Sequence, residues 1–230
     1  TGVLVVCVNK ATKAIQFLMS DTKVYRATLS LGKSTDTYDA SGKILEEKEV
    51  GQILKAQVID VYGVLNHVLL AKHFKTLMMY IGKDVQAIDQ VTGQKRSACL
   101  ADESHCAIII SYSGQTREMV EVAEIYHKRN IPFISITCMA ENSISRLADV
   151  HLYLSSREML HIKIGDFAST TSLKYLFDIL YAGVFSYDYK KNLETKIVVA
   201  SYVDDRQSED EYINEKVRFG HWKDTAIMVK

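Results

Sequence analysis

The fold is decided by one stretch in the middle of the chain, Cys106-Ala107-Ile108-Ile109-Ile110-Ser111-Tyr112-Ser113-Gly114-Gln115-Thr116-Arg117. Its first five residues form a short apolar run, which is typical of a strand buried on both faces of a parallel sheet. Helical spacing of apolar residues then predicts a helix over 117–128. Because α/β sheets bind ligands at the carboxyl ends of their strands, the segment between this strand and this helix is a candidate ligand site.

The residues of that segment suit a bound anion. Ser111, Ser113 and Thr116 offer hydroxyl donors, and Gly114 lets the backbone approach a ligand closely. The start of the following helix adds unpaired amides and a positive dipole end. An alternative stays open at this point, in which the serines and the threonine only cap the helix, since both residue types are preferred N-caps.

Strands and helices alternate from about residue 54 to residue 190. Further strands are predicted at 58–62, 131–137 and 150–154, and further helices at 68–80, 143–148 and 167–185. This alternation predicts an α/β domain with a parallel sheet covered on both faces.

The two ends of the chain have a different texture. Residues 1–50 predict a small α+β segment, with strands at 3–8 and 24–31, a helix at 11–19 and a polar loop at 32–42. Residues 192–230 are left unassigned, apart from a strand predicted at 196–202. We therefore expect three parts, 1–50, 54–190 and 192–230.

The composition narrows the possible classes of protein. The 28 basic and 28 acidic residues give a formal net charge of zero, so there is no overall attraction to nucleic acid. No apolar run reaches the roughly 20 residues that span a bilayer, and the first residues lack the basic region of a signal peptide. Cys7, Cys99, Cys106 and Cys138 show no metal-type spacing. We expect a cytoplasmic protein without membrane contact, cofactor or metal.

The run from Ile109 to Glu118 resembles the S-x-S-G-x-T signature of the sugar isomerase (SIS) domain. Residues 54–190 resemble the effector domain of RpiR-type transcriptional regulators throughout, including the segments 71–74, 147–149 and 156–158. The resemblance implies a flavodoxin-like sheet that binds a phosphorylated sugar and a homo-oligomer formed through this domain. The ligand-binding residues that we expect are Ser111, Ser113, Gly114, Gln115, Thr116, Asn66 and His67.

One segment departs from the pattern of the regulators that the chain resembles. Leu65 stands where that family has a glycine, and His67 stands where it has a serine. A leucine side chain would crowd the anion, and an imidazole would offer an N–H donor in place of a hydroxyl. We therefore expect a changed affinity or specificity.

Isomerase activity would need a base that moves a proton between adjacent carbons. The candidates are Glu103, His105, Glu158 and His161. Glu158 lies in a segment that the regulators also have without catalysis, and ordinary surface charge explains Glu103 and His105. No catalytic residue is assigned, and we expect binding rather than catalysis.

Residues 1–50 resemble another family, the TruB-type tRNA pseudouridine synthases. The resemblance lies in the segments 1–6, 11–13, 23–25 and 31–39. It implies that Tyr25 packs on a target base, with Lys23 beside it in the RNA-binding segment. The catalytic aspartate of that family is expected before Thr1, and the aspartates at 36 and 39 suit turn formation. The segment is predicted to be non-catalytic.

Two functions remain as hypotheses. The leading one is a phosphosugar sensor module of RpiR type that lacks the helix-turn-helix of those regulators, so direct DNA binding is not expected. The alternative is a non-catalytic fragment that binds tRNA through Lys23 and Tyr25. A sugar-phosphate isomerase ranks third, because no base is identified.

Overall fold

The computed structural model describes residues 33–35, 43–47, 56–138, 141–155, 158–159 and 164–203 of the 230. In the first two of these ranges, β1 (Lys33–Thr35) pairs antiparallel with β2 (Ile44–Glu47). The loop expected at 32–42 was wrong at β1, because pairing with a second strand outweighs the turn-forming composition. The elements predicted at 3–8, 11–19 and 24–31, together with Lys23 and Tyr25, lie outside the described residues.

The remaining elements alternate between strand and helix. In chain order they are β3 (Val58–Tyr62), α1 (Asn66–Met79), β4 (Asp84–Ile88), α2 (Val91–Leu100), β5 (His105–Ile110), α3 (Arg117–Lys128), β6 (Phe133–Cys138), β7 (Val150–Leu154), α4 (Phe167–Tyr187) and α5 (Tyr189–Val203). Among the described residues, no helix is both long and apolar enough to cross a membrane.

The five strands β3 to β7 form one parallel sheet in the order β4-β3-β5-β6-β7. Counted along the chain, this is the 2-1-3-4-5 order of flavodoxin-like folds. The fold class predicted from the sequence is confirmed. The sequence analysis did not identify β4 and α2, whose residues are the least apolar of the sheet unit.

The order of the strands creates a crevice between β3 and β5. The chain passes from β3 through α1 to β4 on one side, and α2 then carries it back to β5 on the other side. Such a reversal leaves a crevice at the carboxyl ends of the two strands. Since Tyr62 pairs with Ile109, the loops that follow β3 and β5 start side by side.

Both faces of the sheet are covered by apolar layers. On one face, Ile59 and Ile108 are buried under α1 and α4, where Phe74 stacks on Phe177 with ring centroids 4.7 Å apart. On the other face, Ile109 is buried with Met119 of α3. The apolar sequence of β5 from Cys106 to Ile110 follows from this burial on two sides.

A polar network is enclosed in the second layer. Asp60, in the middle of β3, is 2% exposed, and its Oδ2 accepts a hydrogen bond from the Tyr126 hydroxyl at 2.6 Å. The Nδ1 of His105 lies 2.8 Å from the same oxygen. The Tyr62 hydroxyl lies 3.2 Å from both Tyr126 and Ser97. Burial raises the pKa of Tyr62 to about 12, and it also raises the pKa of Tyr126 above its ordinary value.

Two predicted elements are wrong. Residues 196–202 belong to helix α5 and not to a strand, because each β-branched residue costs only about 0.5 kcal/mol in a helix that also contains the good helix formers Leu193 and Glu194. Asn192 of α5 is buried, and its Nδ2 donates to the carbonyls of Val184 and Phe185 at 3.0 Å. Residues 143–147 form turns in place of the predicted short helix.

Candidate anion-binding site

The loop that follows β5 is closed on its first residue, Ser111. The Ser111 amide continues the sheet by donating to the Ile136 carbonyl at 3.1 Å, and the residue is 1% exposed. The amide of Gly114 donates to both the carbonyl and the Oγ of Ser111, at 3.1 and 3.2 Å. The Oγ of Ser111 also lies 2.8 Å from the Oγ1 of Thr116. The loop is therefore a compact turn anchored to the end of a buried strand.

Thr116 is the N-cap residue of α3, but its side chain does not cap the helix by a hydrogen bond. Its hydroxyl faces Ser111 across the loop. The first amides of α3 have no carbonyl partner within the helix, and the helix dipole places positive potential beside them. For Thr116 the capping alternative is thus wrong, whereas the Ser113 Oγ accepts from the Gln115 amide at 3.2 Å and does stabilise the turn.

Gly114 adopts a conformation that other residues avoid. Its φ is +65°, in the left-handed region that favours glycine. A Cβ at this position would fall within 2.6 Å of the Asn142 Nδ2 and closer still to the Cγ and Oδ1. Both the backbone angle and the adjacent side chain explain why a glycine stands here.

The loop that follows β3 lies against the same part of the sheet. A Cβ on Gly63 would lie 2.9 Å from the Cβ of His67 and 3.7 Å from that of Ile110. The half-buried His67 lies in the first turn of α1 next to Asn66, whose Nδ2 donates to the Asp166 carboxylate at 2.5 Å. The expected ligand residues therefore lie in the loop after β5 and at the start of α1, with the Asn66 amide engaged by the start of α4.

Two neighbouring residues at this edge were missed by the sequence analysis. Asn142 is 3% exposed and packs on Gly114, and the Ser143 Oγ donates to the Gln115 Oε1 at 2.9 Å. The sequence signal was Asn142 with serines one and three residues later, a pattern that favours a side-chain-stabilised turn.

The candidate bases are not brought together at this site. Glu103 lies before β5 and His105 is its first residue, so both are at the amino ends of the strands, at the opposite end from Ser111. Glu158 lies, like Ser111, at the carboxyl ends of the strands, where its carboxylate accepts from the amide and the hydroxyl of Ser169 at 2.7 and 2.6 Å. His161 lies outside the described residues. In the described part of the chain, no three His, Cys, Asp or Glu side chains are grouped to hold a metal.

An open cavity of about 410 Å³ lies at the amino ends of the strands, at the opposite end of the sheet from Ser111. Its lining residues come from the loops before β5 and β6, namely Asp102, Glu103, Ser104, Arg129, Asn130 and Ile131. The Arg129 guanidinium already donates to the Cys99 carbonyl at the end of α2. Because acidic side chains line the cavity, it does not suit the anion that the β5 loop suits.

Leu65 is strained, and we expect its replacement by glycine to stabilise the protein. Its φ is +53° and its ψ is −123°, and the side chain is 86% exposed, so it contributes little burial. Relief of 1–3 kcal/mol of backbone strain, less about 0.5–1 kcal/mol for glycine entropy, leaves a gain of about 1 kcal/mol for Leu65→Gly. Urea unfolding measures this gain.

The control for this change is Leu69→Gly, at an exposed leucine inside α1. A glycine in a helix interior costs about 1 kcal/mol, so the two changes should shift stability in opposite directions. Loss of stability in both variants would show that Leu65 is not strained.

The N-terminal resemblance is confirmed by comparison with known proteins. Residues 1–68 match the family model of the TruB family pseudouridylate synthase (N terminal domain). The tRNA pseudouridine synthase B of Clostridium tetani is 47% identical over 60 residues, which are 26% of this chain and 21% of that protein. The chain thus spans about a fifth of the curated synthase that it matches.

Two further comparisons concern the parallel sheet. The uncharacterized HTH-type transcriptional regulator YbbH of Bacillus subtilis is 27% identical over 155 residues, 67% of this chain and 55% of that protein. The solved structure of the Vibrio vulnificus NanR protein, complexed with ManNAc-6P, has a TM-score of 0.60 at 24% identity and covers 67% of this chain and 58% of that chain. The structural likeness shows a shared fold.

A family model settles the assignment of the sheet unit. The model of the SIS domain matches residues 52–176, which are more than half of the chain. These residues include β3 to β7 and the whole Ser111–Thr116 loop. The chain therefore belongs to the SIS domain family.

Proposed function

We propose that this chain binds a phosphorylated sugar at the crevice between the carboxyl ends of β3 and β5. The observation that carries the proposal is the Ser111–Thr116 loop, a closed turn between a buried strand and the start of α3. It places the Ser113 and Thr116 hydroxyls at a helix start, where amides and the helix dipole favour an anion.

The chemistry of a phosphate fits each part of this loop. Phosphate oxygens accept charge-assisted hydrogen bonds from hydroxyls and amides, and these bonds are about twice as strong as neutral ones. Gly114 allows the tight turn of the loop with its φ of +65°, and Gln115 and the start of α1, with Asn66 and His67, lie where the sugar would extend. The expected contacts are the seven residues assigned from the sequence.

A regulatory role is the second part of the proposal. The support is the similarity to a transcriptional regulator and to NanR, a protein whose structure holds ManNAc-6P. Of the candidate bases, Glu103 and His105 lie at the amino ends of the strands, and Glu158 is hydrogen-bonded to α4. This favours sensing over isomerisation. We further propose that the chain acts as a homo-oligomer and does not bind DNA directly.

Binding of tRNA is the second candidate function. The observation that favours it is the 47% identity over 60 residues to tRNA pseudouridine synthase B, a segment that contains Lys23 and Tyr25. This candidate requires no catalysis by the chain.

A thermal-shift panel tests the proposal against this alternative. We expect one or more hexose phosphates, with N-acetylmannosamine 6-phosphate as the first probe, to raise the melting temperature by several degrees. A ligand at 100 times its Kd stabilises the folded state by about 2.7 kcal/mol. The unphosphorylated sugars and inorganic sulfate serve as controls. Stabilisation by tRNA and by none of the sugar phosphates would reverse the ranking of the two functions.

A further inference from the structure

We infer that Asn142 is a positioning residue, which holds the Ser111–Thr116 loop in its binding conformation by packing its carboxamide on Gly114. Its effect on ligand affinity rests on the proposed function, whereas its effect on the loop does not. Asn142 lies after β6, 28 residues beyond Gly114 in the chain, and the fold alone brings the two together.

Gly114 and Asn142 are in close contact. The carboxamide of Asn142 occupies the space that a Cβ on Gly114 would fill. Gly114 in turn has a φ of +65°, one of several conformations open to an unrestrained glycine. A rigid group against its Cα therefore restricts the freedom that the glycine would otherwise have.

The Asn142 carboxamide is itself held in place by hydrogen bonds. Its Nδ2 donates to the Oγ1 of Thr137 at 2.7 Å, and Thr137 is fully buried at the end of β6. Its Oδ1 accepts from the amides of Ile144 and Ser145 at 3.2 and 3.0 Å. Since the side chain is 3% exposed, these bonds are shielded from water and hold the group in one orientation.

A second contact holds the same two loops together. The Ser143 Oγ donates to the Gln115 Oε1 at 2.9 Å, one residue along from each member of the first pair. The loop after β6 thus contacts two successive residues, Gly114 and Gln115, of the Ser111–Thr116 loop. Ligands bind more tightly to groups that are already ordered, because less conformational entropy is lost on binding.

The experiment compares Asn142→Ala with a matched control, Asn192→Ala. Asn192 is another buried asparagine, which donates to two carbonyls of α4. Both variants should lose stability, but only Asn142→Ala should speed amide hydrogen exchange in the 111–116 peptide, by about tenfold or more. Calorimetric titration with N-acetylmannosamine 6-phosphate should show affinity about tenfold weaker in Asn142→Ala and unchanged in Asn192→Ala.

A size exchange tests the contact itself. Gly114→Ala should weaken binding strongly, because the new Cβ meets the carboxamide and the left-handed φ disfavours alanine. In the Asn142→Ala background the space is vacated, so adding Gly114→Ala should cost less than it does in the wild-type protein. Additive losses would mean that the two residues do not act together, and the inference would fail.

The two readouts separate the inference from the proposed function. Unchanged exchange of the 111–116 peptide in Asn142→Ala overturns the inference, whatever the protein binds. A wild-type protein that binds neither N-acetylmannosamine 6-phosphate nor another hexose phosphate overturns the proposed function, and the exchange data then decide alone whether Asn142 holds the loop.

Discussion

Replacing Ser113 and Thr116 together by alanine should weaken phosphosugar binding on the order of a hundredfold or more. Each hydroxyl is expected to donate to a charged phosphate oxygen, and such a bond contributes about 1.5–3 kcal/mol. The Thr116 hydroxyl does not cap α3 by a hydrogen bond, so its loss should leave the helix largely intact. Isothermal titration of the double variant with the best sugar phosphate of the panel measures the change.

The matched control is Thr195→Ala in α5. Thr195 is half-buried, and its methyl group lies near Gly82, which precedes the edge strand β4. Its loss should leave affinity unchanged. Urea melts of the same proteins report on stability, where a lost cap costs roughly 1 kcal/mol. A double variant with lowered stability and unaltered affinity would assign Ser113 and Thr116 to structure alone.

Replacing Asp60 by alanine should destabilise the protein by about 3 kcal/mol or more. The substitution removes the acceptor of the buried Tyr126 hydroxyl and the partner of the His105 imidazole, and it leaves a cavity beside them. An unsatisfied buried donor costs about 1–3 kcal/mol, and the cavity adds to that cost. Urea unfolding gives the change in free energy.

Three companion variants make the Asp60 result interpretable. Asp178→Ala removes a half-exposed carboxylate that, among the described residues, pairs with Lys174, and it should change stability by at most about 0.5 kcal/mol. Tyr126→Phe should destabilise the protein less than Asp60→Ala. The double variant Asp60→Ala/Tyr126→Phe should lose less stability than the two single variants added together, because Tyr126→Phe removes the hydroxyl that Asp60→Ala leaves without an acceptor. A loss at Asp60 no greater than that at Asp178 would contradict a role for the network in stability.

Much of the sheet unit was predictable because its signals are local. The apolar run of β5 and the helical period of α3 follow from residues that are adjacent in the chain, and both elements lie where they were predicted. The Ser-rich loop between them carried the resemblance that the SIS match confirms. The assignment of its residues as ligand contacts remains a prediction.

The wrong or missing elements depend on contacts that no local pattern contains. The β-branched run at 197–199 is helical because it continues a helix that Asn192 fastens to the end of α4. The turns at 143–147 are stabilised by the Asn142 side chain, which accepts from the amides of Ile144 and Ser145. The strand β4 is half-exposed at the sheet edge, so its sequence lacks a continuous apolar signal.

The sequence by itself determined the kind of sheet, the position of the Ser111–Thr116 loop and the family, because hydrophobic period and a glycine between hydroxyl residues are properties of contiguous chain. The tertiary structure decided which residues surround that loop. The contact of Gly114 with Asn142 and the bond of Asp60 to Tyr126 join residues from separate elements. Such pairs arise only when the strand order fixes which ends of the elements meet, and that order results from packing the whole sheet at once.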